Sequence, residues 1–264
     1  MDLGTDKIIA EQEGGIGWIT INNPARRNAM SLEMWEALGK AVAAYGADPS
    51  VRVVVMKGAG DKAFMSGADI SQFEKVRHNA ESAAIYKERS DGARKALAEL
   101  EKPLIAMIRG YCLGGGLGTA LATDFRVASS DSQFGIPAAK MNIVYAFSNV
   151  KSLVNLVGPS MAKQILFTAK RYTAEEALRM GLIEDVVAPE DLEATVRDYA
   201  TTIAENAPMS IRAAKLTVRQ VLSDESRRDL AMLERLADEA SNSEDFAEGR
   251  RAFMEKRKPV FVGR

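Results

Sequence analysis

The ten residues Arg109-Gly110-Tyr111-Cys112-Leu113-Gly114-Gly115-Gly116-Leu117-Gly118 constrain this chain more than any others. They follow the apolar run 104–108 and precede an alanine-rich helical pattern over 119–123. A strand that enters a glycine triplet and leaves as a helix exposes bare backbone, because no Cβ blocks a ligand's approach. It also aims the unpaired first amides of the helix at that ligand. The arrangement suits a negative oxygen, either of a phosphate or of an enolate formed during a reaction. The phosphate reading is the weaker one. The triplet lacks the spacing of a dinucleotide fingerprint, and Leu117 and Gly118 stand where a triphosphate loop needs Lys and then Ser or Thr. From this segment alone, glycines that merely permit close strand–helix packing are an equal alternative.

A second segment, Lys62-Ala63-Phe64-Met65-Ser66-Gly67-Ala68-Asp69-Ile70, again follows an apolar strand pattern, 51–56. Together the two segments resemble the crotonase superfamily, or enoyl-CoA hydratase/isomerase family, whose members act on coenzyme A thioesters. The likeness runs through Asn22 and Pro24, Asn28-Ala29-Met30, Leu166-Phe167-Thr168, Ala174 to Gly181-Leu182-Ile183, Glu248-Gly249, and Ala252-Phe253-Met254-Glu255-Lys256-Arg257-Lys258. The resemblance implies that the amides of Ala68 and Gly115 form an oxyanion hole for the thioester carbonyl. It places coenzyme A along Ser66, Gly67, Ala68, Asp69 and Ile70 and beside Gly114, with Arg26 or Arg27 near the phosphates. Phe253 and Lys256 match positions that reach the nucleotide from an adjacent subunit; a solvated helix end is the plainer reading of 256–258. Coenzyme A enters as part of the substrate, and no tightly bound cofactor or metal is expected. The implied fold is α/β, a spiral of ββα units over 1–195 followed by a helical region over 196–264 that packs on a neighbour in a homotrimer or a hexamer of paired trimers.

The residues themselves agree with an α/β chain. Segments 7–13 and 16–21 read as a hairpin turning at Gly14-Gly15, and Ser31 caps a helix with apolar positions Leu32, Met34, Trp35, Leu38 and Val42. Strand patterns at 51–56, 104–108, 125–128 and 183–187 alternate with helical ones at 81–100 and from Gly115 onward. Beyond Pro189 the pattern is almost wholly helical, with Pro208 opening one helix and Ser223-Asp224 punctuating the next.

At 264 residues, 47% of them hydrophobic, the chain suffices for one large domain, alone or with an appendage. A net charge of −1 supplies no basic field to draw nucleic acid or anionic lipid. No apolar run reaches the roughly 18 residues a membrane span needs, and residues 1–13 carry no signal-peptide or transit pattern. The one cysteine, Cys112, has no disulfide partner, which suits the expected cytoplasmic location. Cys112 and the one histidine, His78, cannot assemble a zinc site, and nothing pairs them as nucleophile and base.

What selects a reaction on such a site is the acid–base set around the α- and β-carbons. Hydratases of the family carry a glutamate three residues past the position of Gly115 and another directly after that of Pro137. Here those positions hold Gly118 and Ala138. Relatives with an aspartate farther on find Tyr145 and Ala146 instead. Each general acid or base contributes typically about 10²–10⁴-fold, so two-glutamate hydration is not expected. Tyr145 and the ending 253–263 resemble the methylmalonyl-CoA decarboxylase branch, although Gly118 departs from that branch's acidic residue. Decarboxylation needs no proton-abstracting base, and a phenol could orient the departing carboxylate or reprotonate carbon. Alternatively the Tyr145 ring fills the pocket wall with its OH on backbone. Asn142, Ser148 and Asn149 are weaker polar candidates. His78 and Glu81 would reach the acyl pocket only if their segment folds over it, and a solvated helix face is the plainer reading. Asp69 and Asp124 read as structural. The expectation is an acyl-CoA lyase or isomerase of non-standard, decarboxylase-type chemistry. The alternatives are a hydratase/isomerase with relocated groups and a non-catalytic acyl-CoA binder.

Overall fold

The computed structural model describes residues 1–69 and 80–264. Strand β1 (Ile8–Glu13) turns at Gly14-Gly15 into β2 (Ile16–Ile21), and Ile8 lies opposite Ile21 in this antiparallel hairpin. β2 then runs parallel to β3 (Val53–Gly58), and β5 (Leu104–Ile108), β7 (Phe125–Ser129) and β10 (Asp185–Val187) extend the parallel sheet. Parallel strands are covered on both faces by their crossovers, which is why these segments read as continuous apolar runs. Successive side chains still part to opposite faces. Val54 and Met56 enter the cluster with helix α1 (Leu32–Ala47), whereas Val53 and Val55 enter the cluster with α6 (Leu192–Glu205).

α1 begins where Ser31 Oγ accepts the Met34 amide, and it buries Met34, Trp35, Leu38, Ala41, Val42 and Tyr45 along one face. Each large apolar side chain so buried contributes about 1.5–3 kcal/mol, enough to fix the helix on the sheet. α6 buries Leu192, Val196 and Ala200 on the other face. It runs through residues 195 and 196, so a division drawn there would cut a helix that packs on the sheet.

A second sheet was not legible in the sequence. It joins β4 (Ala63–Met65), β6 (Tyr111–Leu113), β8 (Gln133–Gly135) and β9 (Tyr172–Thr173) in that order. Its strands are two or three residues long, too short to show a period. Each unit passes from a large-sheet strand through a short strand to a helix: β3, β4, α2 (Ala80–Glu99); β5, β6, α3 (Gly115–Ala120); β7, β8, α4 (Phe147–Thr168). This is the ββα spiral. Because β4, β6 and β8 are parallel neighbours, their C-terminal ends deliver residues 66–69, 114–116 and 136–138 to one edge.

After α5 (Ala174–Arg179) and β10 come α6, α7 (Pro208–Val221), α8 (Leu230–Ser241) and α9 (Glu244–Glu255). The end of the chain is pinned to α9, where Asp245 accepts the Val262 and Gly263 amides at 2.7 and 2.8 Å. Among the described residues no helix is long and apolar enough to cross a membrane.

Candidate active site

Two backbone amides meet at the edge of the small sheet. Beyond β4, Met30 donates to Gly67 O at 2.9 Å and accepts from the Asp69 amide at 3.1 Å, a parallel bridge centred on Ala68. Because strand amides alternate in direction, the Ala68 N–H points away from that bridge. Beyond β6, Gly114 adopts φ 53, ψ −119, open only to glycine, and hands the chain to Gly115 at the start of α3. The Gly115 amide has no partner inside its helix. Among the described residues neither the Ala68 nor the Gly115 amide has an acceptor. The loops lie close: a Cβ on Gly115 would stand 3.9 Å from the Ala68 nitrogen, and one on Gly67 would stand 3.4 Å from the Gly115 nitrogen. A Cβ on Gly116 would lie 1.9 Å from Met65 O, so only glycine lets the second loop approach the first.

Tyr145 holds this turn. Its OH donates to Gly114 O at 2.8 Å, and the Gly118 amide reaches the same oxygen at 3.0 Å. Gly114 O and Gly115 N–H belong to one trans peptide unit, in which the two point in opposite directions. Fixing the carbonyl therefore fixes where the Gly115 N–H points. Burial pushes the phenol above its ordinary pKa, against the opposing pull of the Arg94 cation. The proton stays on Tyr145 at neutral pH, directed at backbone, and the phenol forms part of the site wall. Gly118 belongs with it: a Cβ there would meet Tyr145 OH at 2.8 Å and Asn149 Nδ2 at 3.1 Å. The tyrosine thus fills the space into which a larger residue 118 would project. Ala138 is buried in the 3₁₀ turn Pro137–Met141 and carries no acid. Among the described residues, the ionisable groups acting on the phenol are Arg94 and Cys112, neither a carboxylate.

Arg94, absent from the sequence-derived candidates, also faces the turn. From α2 its Nη2 comes 3.4 Å from the position of a Cβ on Gly115, and its guanidinium lies 4.4 Å from the centre of the Trp35 ring. The signal was present in the spacing of Ser90, Arg94 and Leu97, which share the inward face of α2.

Several residues expected along coenzyme A lie together. Arg26 and Arg27 sit in a turn whose carbonyls accept from Ser66, Arg26 O from Oγ at 3.4 Å and Arg27 O from the amide at 3.1 Å. Buried Asn28 ties the turn to β4, donating to Ala63 O at 2.6 Å. The Arg27 guanidinium lies 5.5 Å from the Tyr111 ring, and Arg171, another residue the sequence did not single out, approaches the same ring at 5.2 Å. Ile70 and His78 lie outside the described residues, and Glu81 is placed only as part of the α2 backbone. Phe253 is 82% exposed and Lys256 caps α9; among the described residues nothing links either to Ala68 or Gly115 within one chain. Asn142 and Ser148 are exposed, away from the Gly118 contact that Asn149 makes. Asp124 is structural, accepting the Leu104 amide and Lys215 Nζ, each at 2.7 Å. Cys112 is buried in the core and burial pushes its thiol pKa up, the reverse of what a nucleophile needs.

The sequence matches the family Enoyl-CoA hydratase/isomerase over residues 11–264. It is 34% identical over 253 residues to the short-chain-enoyl-CoA hydratase of Clostridium acetobutylicum, covering 96% of each chain. It is 33% identical to the crotonyl-CoA hydratase of Syntrophomonas wolfei, covering 99% of this chain and 100% of that one. The crystal structure of an enoyl-CoA hydratase/carnithine racemase from Magnetospirillum magneticum superposes with a TM-score of 0.93 at 36% identity, covering 98% of this chain and 97% of that one. The chain therefore belongs to the enoyl-CoA hydratase/isomerase family and has its crotonase fold. It is an acyl-CoA enzyme.

Proposed function

We propose that the protein stabilises the enolate of an acyl-CoA between the Ala68 and Gly115 amides and that its reaction is decarboxylation rather than two-glutamate hydration. The observation that carries the reading is a pair of neighbouring amides without acceptors, one held in direction by Tyr145 through Gly114 O. A thioester carbonyl accepting from both gains most as negative charge develops on its oxygen, and one such donor is worth about 2.7–4 kcal/mol in other enzymes. With Gly118 and Ala138 at the two acid–base positions, two-glutamate chemistry is missing, and a reaction that needs no base fits the site better. The bond between the α-carbon and a carboxylate breaks, its electron pair enters the thioester as enolate, carbon dioxide leaves, and the α-carbon then takes up a proton from solvent water. In this reading Tyr145 is a positioning residue. The nucleotide lies along residues 66–70 near Arg26 and Arg27, and Phe253 and Lys256 serve a neighbouring subunit in a trimer or hexamer.

A second reading, hydration with acid and base drawn from other residues, is favoured by the hydratase names of the two sequence relatives. Incubation with malonyl-, methylmalonyl-, 2-enoyl-, 3-enoyl- and 3-oxoacyl-CoA, with product masses read out, separates the two. Loss of carbon dioxide from a carboxylated ester, with crotonyl-CoA hydrated at least about 10²-fold more slowly than by a glutamate-bearing relative, is the expected result. Efficient hydration with no decarboxylation overturns it. Calorimetry supplies the binding check: acetyl-CoA should bind more tightly than free CoA, and Gly115→Pro, which deletes one donor, should remove the difference.

A further inference from the structure

We propose that Arg94 is a specificity-determining residue that receives a carboxylate on the acyl group, so that the preferred substrates are short acyl-CoA esters bearing a carboxylate near the thioester. The inference rests on the acyl-CoA reading of the Ala68–Gly115 site and adds the class of acyl chain.

Two withdrawn arginines of this molecule have opposite surroundings. The Arg126 side chain is 1% exposed and fully engaged: Nη2 meets Glu184 Oε1 at 2.5 Å, Nε donates to Leu182 O at 3.0 Å, and Nη1 donates to Thr123 O at 3.1 Å. That is how a structural cation is held. The Arg94 side chain is 17% exposed, yet its Nε is buried with no hydrogen-bond partner. Among the described residues the carboxylate paired with it is Asp91, whose Oδ1 stands 3.6 Å from Nη1, beyond hydrogen-bond distance, and Asp91 also holds Lys87 Nζ at 2.8 Å. Stacking on Trp35 offsets part of the charge but accepts no N–H. Burial pulls the pKa of the guanidinium down, but an arginine so placed remains a cation. A largely buried cation is expensive unless an anion completes it.

The place where an anion would complete it is set by Gly115. Nη2 lies 3.4 Å from the point a Gly115 Cβ would occupy, and that same point lies 3.9 Å from the Ala68 nitrogen. The guanidinium therefore borders the point at which the two amides would hold a thioester oxygen, within reach of an acyl chain that leaves on that side. In the proposed reading the charged part of coenzyme A lies by Arg26 and Arg27, which adjoin Ser66. The group that can reach Arg94 is thus carried by the acyl chain, and a planar carboxylate matches the guanidinium fork. A long uncharged acyl chain would leave the largely buried cation with only the distant, half-exposed Asp91 carboxylate.

The test compares affinities of the full-length protein for malonyl-, methylmalonyl- and succinyl-CoA with those for butyryl-CoA and free CoA, in the unmodified chain, in Arg94→Met and in Arg94→Lys. The readout is the ratio of affinities, carboxylated over butyryl. At least one carboxylated ester should bind about tenfold or more tightly than butyryl-CoA, as a hydrogen-bonded charge pair predicts. Arg94→Met should bring the ratio to about one, and Arg94→Lys should keep part of it, having the charge without the fork. If Arg94→Met fails to fold, the ratio in the unmodified protein decides alone. Butyryl-CoA bound above free CoA with no carboxylate preference overturns the Arg94 assignment and leaves the acyl-CoA site standing. Equal weakening of every ester and of free CoA by Arg94→Met assigns the arginine to the nucleotide and also overturns it. If no thioester binds better than free CoA, the site reading falls and the inference with it.

Discussion

The six-stranded sheet and the four-stranded sheet carry opposite kinds of information. In the larger one the work is done by side chains: Ile19, Val54, Met56 and Leu104 fill one face, and Trp18, Val53, Val55 and Ile105 fill the other, all almost wholly buried. In the smaller one the work is done by backbone, since its strands are two or three residues long and its exits present the Ala68 and Gly115 amides. A layer built from side chains holds the fold, and its order is written as an apolar pattern. A layer built from backbone aims donors, and its trace in the sequence is a few residues that stay small. Damage to the first should appear as lost stability, and damage to the second as lost chemistry in a protein that still folds.

The largest effect expected from breaking that division lies at Arg126 in β7. Arg126→Met removes the guanidinium from Glu184 Oε1, leaving Glu184 only the residue 126 amide at 2.6 Å, and leaves Leu182 O and Thr123 O without that side-chain donor. Removing one member of a buried pair costs about 3–5 kcal/mol. Glu184 is 39% exposed and can regain water, so the low end applies. The midpoint of thermal unfolding should fall by about 6–12 °C for roughly 3 kcal/mol. An unchanged melting temperature would show that this pair does not hold the large sheet.

Next comes Gly116, where the two loops of the small sheet touch. In Gly116→Ala the added methyl would lie 1.9 Å from Met65 O, and backbone must move to admit it. The loops separate, and with them the two amides. For the ester turned over best, kcat/KM should drop by about 10²–10³-fold, the loss typical of one oxyanion donor. Melting should change less than in Arg126→Met. A rate preserved alongside a collapsed melting temperature would reverse the division, making this turn a stability element.

Local patterns carried the large sheet because each strand announces itself within a handful of residues. Boundaries moved where pairing overrode hydrophobicity. Val51 is buried, but its amide closes a turn on Asp48 O, so β3 begins at Val53 and extends to Gly58 opposite Ile21. Ile183 is likewise in the core, yet pairing with β7 starts at Asp185. The glycine turn and the Ala68 segment were legible because glycine and a short run of small residues after a strand carry geometry in their identities. The partnership of Gly118 with Tyr145 was not, because only the fold brings the phenol to the space a residue 118 side chain would take. Arg171 was missed for the same reason, since nothing local says that it turns toward Tyr111. Arg94 shares an inward helix face with Ser90 and Leu97, but only the fold shows that it meets Gly115 there.

The smallest expected effect sharpens the comparison most, because its size separates two roles. Tyr145→Phe keeps the ring and removes one hydrogen bond, from the phenol to Gly114 O at 2.8 Å. Gly114 O keeps the Gly118 amide at 3.0 Å, so no acceptor is orphaned and the turn should persist. If the tyrosine only directs the peptide unit that carries the Gly115 N–H, losing one bond of about 1 kcal/mol should lower kcat by about five- to tenfold. A proton donor to carbon would instead be worth about 10²–10⁴-fold. Burial raises the phenol's pKa, so as a positioning group it stays protonated across neutral pH and should add no inflection there to the kcat profile of the unmodified protein. A loss near tenfold with pH profiles that overlay marks Tyr145 as the residue that aims the amide. A loss of several hundredfold, with a limb of the profile missing from the variant, would give it the proton and make a side chain beside the small sheet the chemical actor.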